Sequence, residues 1–164
     1  MSAGDERALE ALYCAHSGHI YNYALRLVND EKDAEEITQD VFLGAWKNAR
    51  RFNFRARVIT WLLRIAHNQA VDRLRARRAT SNIDDMAFAL KDERSADEFA
   101  MVDIADQIRG ALDHLSPGHR AVIELTFVHG LSCAEIAKIM DIPYGTVRSR
   151  MHYAMQHIRR LVSE

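Results

Sequence analysis

The spacing of apolar residues along the chain predicts a protein built of helices. Apolar positions recur at helical intervals over about 5–28, 33–49 and 58–78. The stretch "NDEKD" interrupts the pattern between the first two segments and supplies helix-capping side chains. No long β-branched run alternates with polar residues, and the 164 residues include only two prolines and seven glycines. The expected fold class is all-α: two small helical domains joined by a flexible linker, the C-terminal one a helix-turn-helix.

Residues 79–97 have weak periodicity and mixed acidic content, which indicates a linker with little fixed structure. The linker divides the chain into an N-terminal domain over 1–78 and a C-terminal domain over 98–164. In the second domain, Ser116 and Pro117 are typical of a helix start, and Gly130 is typical of a helix end. Ser132 and Glu135 are predicted to form a capping box for a short helix over 133–140.

The segment after this short helix predicts a helix-turn-helix, in which a second helix crosses the first beyond a tight turn. Asp141 occupies the turn position where glycine is commonest, and aspartate is among the few residues that tolerate left-handed backbone. The second helix would begin at Pro143 or Tyr144. Its core stripe is Val147, Met151, Ala154, Ile158 and Leu161.

The opposite side of this last helix carries residues suited to base edges and phosphates in a major groove. They are Gly145, Thr146, Arg148, Ser149, His152, Tyr153, Gln156 and Arg159. From this stretch alone, an ordinary surface helix of a helical bundle is the alternative interpretation.

The helix predicted over 58–78 separates an apolar face from a basic one. The apolar face holds Ile59, Leu62, Leu63, Ala66, Ala70 and Leu74. The other holds Trp61, Arg64, Asn68, Arg75 and Arg78, with Arg57 just before the helix. Cations, an aromatic ring and an amide suit a strand with exposed bases as well as a duplex, because stacking and edge contacts need unpaired bases. Trp61 could equally anchor the core, and the arginines could form a solvated face.

Charge is distributed in blocks, although the net charge is only −1. Residues 1–46 hold 9 acids and 3 bases, 47–78 hold 10 bases and 1 acid, 79–106 hold 8 acids and 2 bases, and 107–164 hold 7 bases and 5 acids. Such a pattern indicates several surfaces with different partners. Solvated helix faces are the plainer alternative, which the composition of 47–78 weakens.

Several classes of protein are disfavoured. Cys14 and Cys133 form no CxxC pair, so a reduced, cytosolic protein with both thiols as small apolar fillers is expected. No apolar stretch is long enough to span a membrane, and the N-terminus lacks a signal-peptide pattern. Cys14, His16 and His19 could coordinate zinc, but their spacing is no strong signature and a fourth ligand is not evident. No HExxH, P-loop, GxSxG or dinucleotide motif occurs. We therefore expect no enzyme activity, no cofactor and no metal.

Two groups of motifs resemble the bacterial sigma factors of the extracytoplasmic-function (ECF) type. Their second domain is similar to "DAEEITQDVFLGAW" and "TWLLRIAHNQAVDRLRARR", and their fourth domain to "LSPGHRAVIELTFVHGLSCAEIAKIMDIPYGTVRSR". The resemblance covers nearly the whole chain except the extreme N-terminus and the linker, and it depends on the combination, order and spacing of the motifs. It implies a subunit that binds core RNA polymerase, directs it to −35/−10 promoters and helps to open DNA. The alternative, a stand-alone helix-turn-helix regulator, leaves "DAEEITQDVFLGAW" and the basic helix without a role.

The resemblance also implies a role for each block. Core RNA polymerase would be bound through its β′ clamp helices and its β flap, with contacts at Glu36, Gln39, Asp40, Leu43 and Trp46, and with Phe42 either there or in the core. The −10 element would be recognised by the loop 52–60, which receives a flipped base, and by Arg57, Trp61, Arg64, Asn68, Arg75 and Arg78. The −35 element would be contacted by Thr146, Arg148, Ser149, His152, Tyr153 and Gln156. The acidic linker would thread near the active-site and RNA-exit channels. An anti-sigma protein is a further expected partner, and the expected location is the cytoplasm, without membrane insertion.

Two stretches depart from the family's pattern. The −10 loop reads "FNFRARVIT", whereas the family's loop is usually richer in glycine, serine and aspartate, so the base pocket is expected to differ in shape. The last helix carries Tyr153-Ala154-Met155 where "RAR" is often found. The loss of an arginine is expected to weaken contacts with the −35 element or to alter the preferred sequence.

Overall fold

The computed structural model describes residues 5–53, 55–80 and 104–163, and every regular element within these ranges is helical. The helices are α1 (Glu6–Val28), α2 (Glu31–Asn48), α3 (Val58–Thr80), α4 (Ile104–Asp113), α5 (Pro117–Ile123), α6 (Cys133–Met140) and α7 (Tyr144–Ser163). A 3₁₀ turn, Ala49–Arg51, follows α2, and a π-helical turn, Glu124–Val128, follows α5. The all-α prediction is confirmed. The linker expected over 79–97 is already helical to Thr80, and its remainder lies outside the described residues.

The helix boundaries follow from local capping. Asp30 accepts a hydrogen bond at 2.8 Å from the backbone N–H of Asp33, so the interruption predicted at "NDEKD" does start α2. Ser132 and Glu135 bond each other's backbone N–H at 3.2 and 2.8 Å, which confirms the predicted capping box. These contacts satisfy N–H groups that the first turn of a helix leaves without partners.

Helices α1, α2 and α3 pack into a three-helix unit around fully buried side chains that include Ile20, Ile37 and Leu62. A polar network also joins α2 to α3. Asp33 pairs with both Arg73 and Arg77, and Arg73 reaches the Asp33 carboxylate at 2.6 Å. Such charge-assisted bonds add to the apolar packing and fix how α3 lies along α2.

Helices α4 to α7 form the second unit. Leu112, Leu115, Ile123 and Ala154 make a small core that brings α4 and α5 against α7. Of the predicted α7 stripe, Val147 and Ala154 are fully buried, whereas Leu161 in the last turn is 39% exposed, so the stripe was extended one position too far.

The turn between α6 and α7 is the predicted helix-turn-helix turn. Asp141 has φ 53° and ψ 50°, the left-handed conformation expected for it, and the N–H of Ile142 donates to the carbonyl of Ala137 at 3.1 Å. Gly130, the predicted helix stop, has φ 63°. These two reversals set the directions in which α6 and α7 run within the unit.

The two units pack against each other rather than lying apart. Helix α5 contacts α1, α6 contacts α3, and buried side chains of both units belong to one continuous cluster. The two cysteines differ, since Cys133 is half-buried against this cluster but Cys14 is exposed on α1. The expectation that Cys14 fills a core position is therefore wrong, because it lies on the solvent side of α1.

Candidate nucleic-acid and polymerase interfaces

The residues expected to read the −35 element lie along the solvent side of α7. We call them the α7 reading face: Thr146, Arg148, Ser149, His152, Tyr153 and Gln156. All except the half-buried Thr146 are exposed, and Tyr153 is 62% exposed with its ring against that of His152 at 5.8 Å. The Ser149 hydroxyl donates to the Gly145 carbonyl at 3.0 Å, which leaves its lone pairs as acceptors. Val147 and Ala154 on the buried side hold the helix, so this face can enter a groove without unpacking.

Tyr144, at the first position of α7, is also exposed (53%), and the sequence reasoning assigned it no contact. A residue in the first turn of such a helix lies where the end of a recognition helix meets DNA. Pro143, just before the helix, marks the helix start in the sequence and could have indicated that Tyr144 lies in its first turn.

The residues expected to contact the −10 element follow α3, and we call them the α3 basic face: Arg57, Trp61, Arg64, Asn68, Arg75 and Arg78. Four of them, Arg64, Asn68, Arg75 and Arg78, are exposed on the helix. Trp61 is half-buried against the core and stacks on Phe52 from the preceding loop, with ring centroids 5.0 Å apart. Trp61 thus serves the packing of the loop, and a flipped base could reach only the part of the ring that remains free.

Part of the α3 basic face borders the other unit. Asn68, Arg75 and Arg78 line a cleft of about 770 Å³, whose opposite wall includes Asp141 and Arg150. At the start of α3, Arg57 pairs with Glu135 of α6 at 3.6 Å. Both side chains of this pair are more than a third exposed, so it adds little energy and mainly reports how α6 is placed.

The third predicted surface lies on α2. We call it the α2 outer face: Glu36, Gln39, Asp40, Leu43 and Trp46. Gln39, Asp40 and Leu43 are exposed, and Leu43 is unusually so for a leucine, at 53%. Trp46 is half-buried. An exposed apolar residue beside a carboxylate and an amide is typical of a surface that another protein covers.

Glu36 of this face and its neighbour Phe42 have structural roles. The Glu36 carboxylate accepts from Arg73 of α3 at 2.8 Å, so it ties α2 to α3. Phe42 is only 4% exposed and packs edge-on against Tyr13 at 4.9 Å, which places it in the core. Tyr13 itself is 45% exposed and extends the apolar surface towards α1.

A buried histidine lies under the α3 basic face. The Tyr23 hydroxyl and His67 Nδ1 are 2.8 Å apart, and both residues are buried. Burial, assisted by the positive charge of Arg150, lowers the pKa of His67 to about 4. Burial, assisted by Glu124, raises the pKa of Tyr23 above its usual value. A neutral imidazole can therefore accept a hydrogen bond from the phenolic O–H, and the pair is a fixed polar link between α1 and α3.

Sequence reasoning missed a charged cluster at the junction of the units, which we call the interdomain hub: Arg26, Arg120 and Glu124. Arg120 and Glu124 are only 8% and 5% exposed. Arg120 and Glu124 are four residues apart on either side of the apolar segment "AVI". This spacing was a signal, since a helix places both charges on the same face. Their partner Arg26 lies 94 positions before Arg120, beyond the reach of any local pattern.

Within the described part of the chain, no group of three or more His, Cys, Asp or Glu side chains is arranged to hold a metal. Among the same residues, no helix has the length and apolar character needed to cross a membrane.

Comparison with known proteins bears on both units. Residues 12–80 match the family Sigma-70 region 2, and residues 111–160 match Sigma-70, region 4. The chain is 34% identical to the ECF RNA polymerase sigma factor SigL of Mycobacterium tuberculosis, over 99% of this chain and 93% of that protein. It is 29% identical to the ECF RNA polymerase sigma factor SigW of Bacillus subtilis, over 96% and 90%.

Solved structures give the same result for the fold. The sigma factor RpoE, solved with the anti-sigma factor NepR from Bartonella quintana, aligns with a TM-score of 0.76 over 96% of this chain and 98% of that one, at 22% identity. CnrH, solved in complex with the cytosolic domain of CnrY, aligns with a TM-score of 0.68 over 98% and 90%, at 25% identity. The likeness extends over both units in each case.

Proposed function

The chain belongs to the ECF sigma factors of RNA polymerase, and on that premise we propose that its three faces divide the work of promoter-directed initiation. The α2 outer face binds core polymerase, the α3 basic face engages the −10 element, and the α7 reading face engages the −35 element. What carries this proposal is that one chain holds all three faces, each on the solvent side of a helix whose other side is packed in the core.

The α7 reading face suits duplex DNA. It offers a cation at Arg148, hydrogen-bonding groups at Ser149 and Gln156, and the ring of Tyr153, which can contact a thymine methyl group. Phosphate contacts would set the register of the helix, and base-edge contacts would select the sequence.

The α3 basic face suits a strand whose bases are unpaired. Asn68 can hydrogen-bond a base edge, and the neighbouring arginines can neutralise phosphates. The stretch "FNFRARVIT", whose last three residues form the first turn of α3, would receive the flipped base, and Phe52 and Trp61 already form an aromatic stack beside it. Extrusion of a base costs a few kcal/mol, which such stacking surfaces help to offset.

The α2 outer face suits a protein partner. Leu43 supplies exposed apolar area, and Gln39 and Asp40 supply polar atoms beside it. Asp40 would meet a basic surface on the β′ clamp helices. The C-terminal unit would bind the β flap. We propose that the protein has no catalytic activity of its own and works in the cytoplasm, where the polymerase is.

An anti-sigma protein is the proposed negative regulator. Two solved structures of similar fold contain a bound second protein. RpoE was solved with the anti-sigma factor NepR, and CnrH was solved with the cytosolic domain of CnrY. A partner of this kind would compete with core polymerase for the α2 outer face.

The test is run-off transcription with core polymerase and this protein on a randomised promoter library. Enrichment of one two-part motif, with two blocks at a fixed separation, is the expected result. A library that yields no two-part motif, with active core and folded protein, would refute the proposal. No transcription, together with binding of the protein alone to a single block of sequence, would favour the stand-alone helix-turn-helix regulator.

A further inference from the structure

We propose that a groove between α1 and α2 binds the guanidinium of an arginine that core polymerase presents beside the α2 outer face. The inference rests on the proposed function, and it adds to that face a site for one cationic side chain. We call this site the α1–α2 groove, and its lining includes Tyr13, Gly18, Tyr21, Glu35, Thr38 and Gln39.

The α1–α2 groove continues the surface already assigned to the polymerase. Gln39 belongs both to the α2 outer face and to the lining of the groove. Tyr13, on the α1 side of the groove, packs its ring edge-on against Phe42 at 4.9 Å. A partner that covers Asp40 and Leu43 therefore lies next to the groove and can place a side chain in it.

The size of the groove suits a single side chain. Its volume of about 340 Å³ is at the low end of the range for small-molecule pockets. The buried Thr38 donates its hydroxyl to the carbonyl of Ala34 at 2.7 Å, so that hydroxyl has no proton left for an occupant. The space therefore accommodates the end of one long side chain rather than a whole ligand.

The residue types in the lining favour a cation. Glu35 supplies a carboxylate, and two aromatic rings lie near it: Tyr13 is 45% exposed and Tyr21 is half-buried. Among the described residues, no lysine or arginine lines the groove. Cations are attracted to the face of an aromatic ring, and a planar guanidinium also stacks on it, which an ammonium group does not. Arginine is therefore the side chain that fits best.

The Tyr21 hydroxyl reports the sign of the local potential. Partial burial raises the pKa of Tyr21 above its usual value, and the carboxylates of Glu31 and Glu35 raise it further. Two negative charges thus act on the same point of the groove. A guanidinium at this point would gain from both, because opposite charges attract more strongly where water is partly excluded.

Gly18 keeps the groove open. It lies in the interior of α1, where a glycine destabilises a helix relative to alanine. A Cβ at this position would meet no atom of the described chain within 4 Å, so packing within that part of the chain does not require a glycine. The space that Gly18 leaves is available to a side chain from another molecule.

The test uses the full chain with Gly18→Leu, which fills the groove. Leucine favours a helix more than glycine does, so the variant should unfold at higher urea than the wild type. The matched control is Ala15→Leu, which adds the same side chain at an exposed position of α1 outside the lining. Affinity for core polymerase is measured by fluorescence anisotropy of the labelled chain, and urea unfolding shows that each variant is folded.

Gly18→Leu should weaken core binding roughly ten- to thirtyfold, the loss expected for a desolvated cation–aromatic contact, whereas Ala15→Leu should bind as the wild type does. Glu35→Gln should weaken binding roughly two- to fivefold at low salt and less at high salt, relative to the control Glu10→Gln. A folded Gly18→Leu that binds as tightly as Ala15→Leu would overturn the inference. The proposed function would still stand in that case if Asp40→Arg weakens binding.

A second measurement decides if the wild type itself does not bind core polymerase, a result that would refute the proposed function. N-acetyl-arginine amide is titrated into the full chain, and its neutral analogue N-acetyl-citrulline amide is the control compound. The ring signals of Tyr13 and Tyr21 are followed by NMR. Saturable shifts with the arginine compound alone, absent in Gly18→Leu, would support a cation site in the groove. Unchanged ring signals, or equal shifts with both compounds, would overturn it.

Discussion

Acidification should weaken this fold through one buried side chain, His67. The imidazole is 6% exposed, its Nδ1 lies 2.8 Å from the Tyr23 hydroxyl, and Arg150 is the nearby charge that opposes its protonation. The folded state therefore holds His67 neutral until about pH 4, whereas the unfolded chain protonates it near 6.5. Stability from this group is complete above pH 6.5 and is lost as pH falls towards 4.

The magnitude follows from the two pKa values. The loss between pH 8 and pH 5 is about 2 kcal/mol, and the full loss at low pH is about 3 kcal/mol. The reference variant is His67→Asn, whose side-chain oxygen can accept from Tyr23 and does not titrate. Urea unfolding followed by circular dichroism gives the free energy of unfolding of both proteins at each pH.

The difference between wild type and His67→Asn should shrink by about 2 kcal/mol from pH 8 to pH 5. His114→Asn, at an exposed position after α4, is the control and should follow the wild-type curve. A difference that stays constant over this range would show that His67 is not held neutral by burial, and the reasoning would fail.

Three further predictions concern the turn and the DNA-facing helices. Asp141→Gly should raise the free energy of unfolding by about 0.5–1 kcal/mol, because glycine adopts the left-handed conformation without strain; an unchanged urea midpoint would contradict this. Tyr153→Arg should steepen the dependence of log affinity on log salt for −35 duplex by about 0.9, as expected for one added phosphate contact; a slope equal to that of the wild type would place residue 153 away from the backbone. Asn68→Ala should impair promoter opening, measured by permanganate footprinting, more than core binding, and Asp40→Arg should do the reverse; if both variants affect the same step, the division of roles between α3 and α2 is wrong.

The helices and their ends could be predicted because they depend on neighbours in sequence. The capping box of Ser132 and Glu135 and the left-handed Asp141 are both local features, and both were found where the motifs placed them. The faces of α3 followed from periodicity alone, with Leu62, Leu63, Ala66 and Ala70 of the apolar set buried and Ile59 and Leu74 partly buried. Interactions between residues close in sequence are sufficient to determine helix ends and helix faces.

The junction between the units could not be predicted in this way. Arg120 is buried because four carbonyls from two units converge on it, and no property of the surrounding sequence specifies that convergence. Glu36 was expected to face a partner, but its carboxylate also lies within reach of Arg73 on another helix. The π-helical turn at Glu124–Val128, which follows α5 and contacts α6, was likewise not predicted from the apolar pattern.

The shared core has a consequence for how the protein is made. Arg26 and its partner Arg120 are 94 positions apart. At 5–20 residues per second, the ribosome needs about 2–8 s to go from Thr80, the end of α3, to Arg120, which covers the end of α1. During that interval the nascent three-helix bundle presents apolar side chains, including Leu27, to the surrounding solution. Chaperone binding to the emerging chain should therefore begin as α1 to α3 fold and end when α5 and α6 arrive.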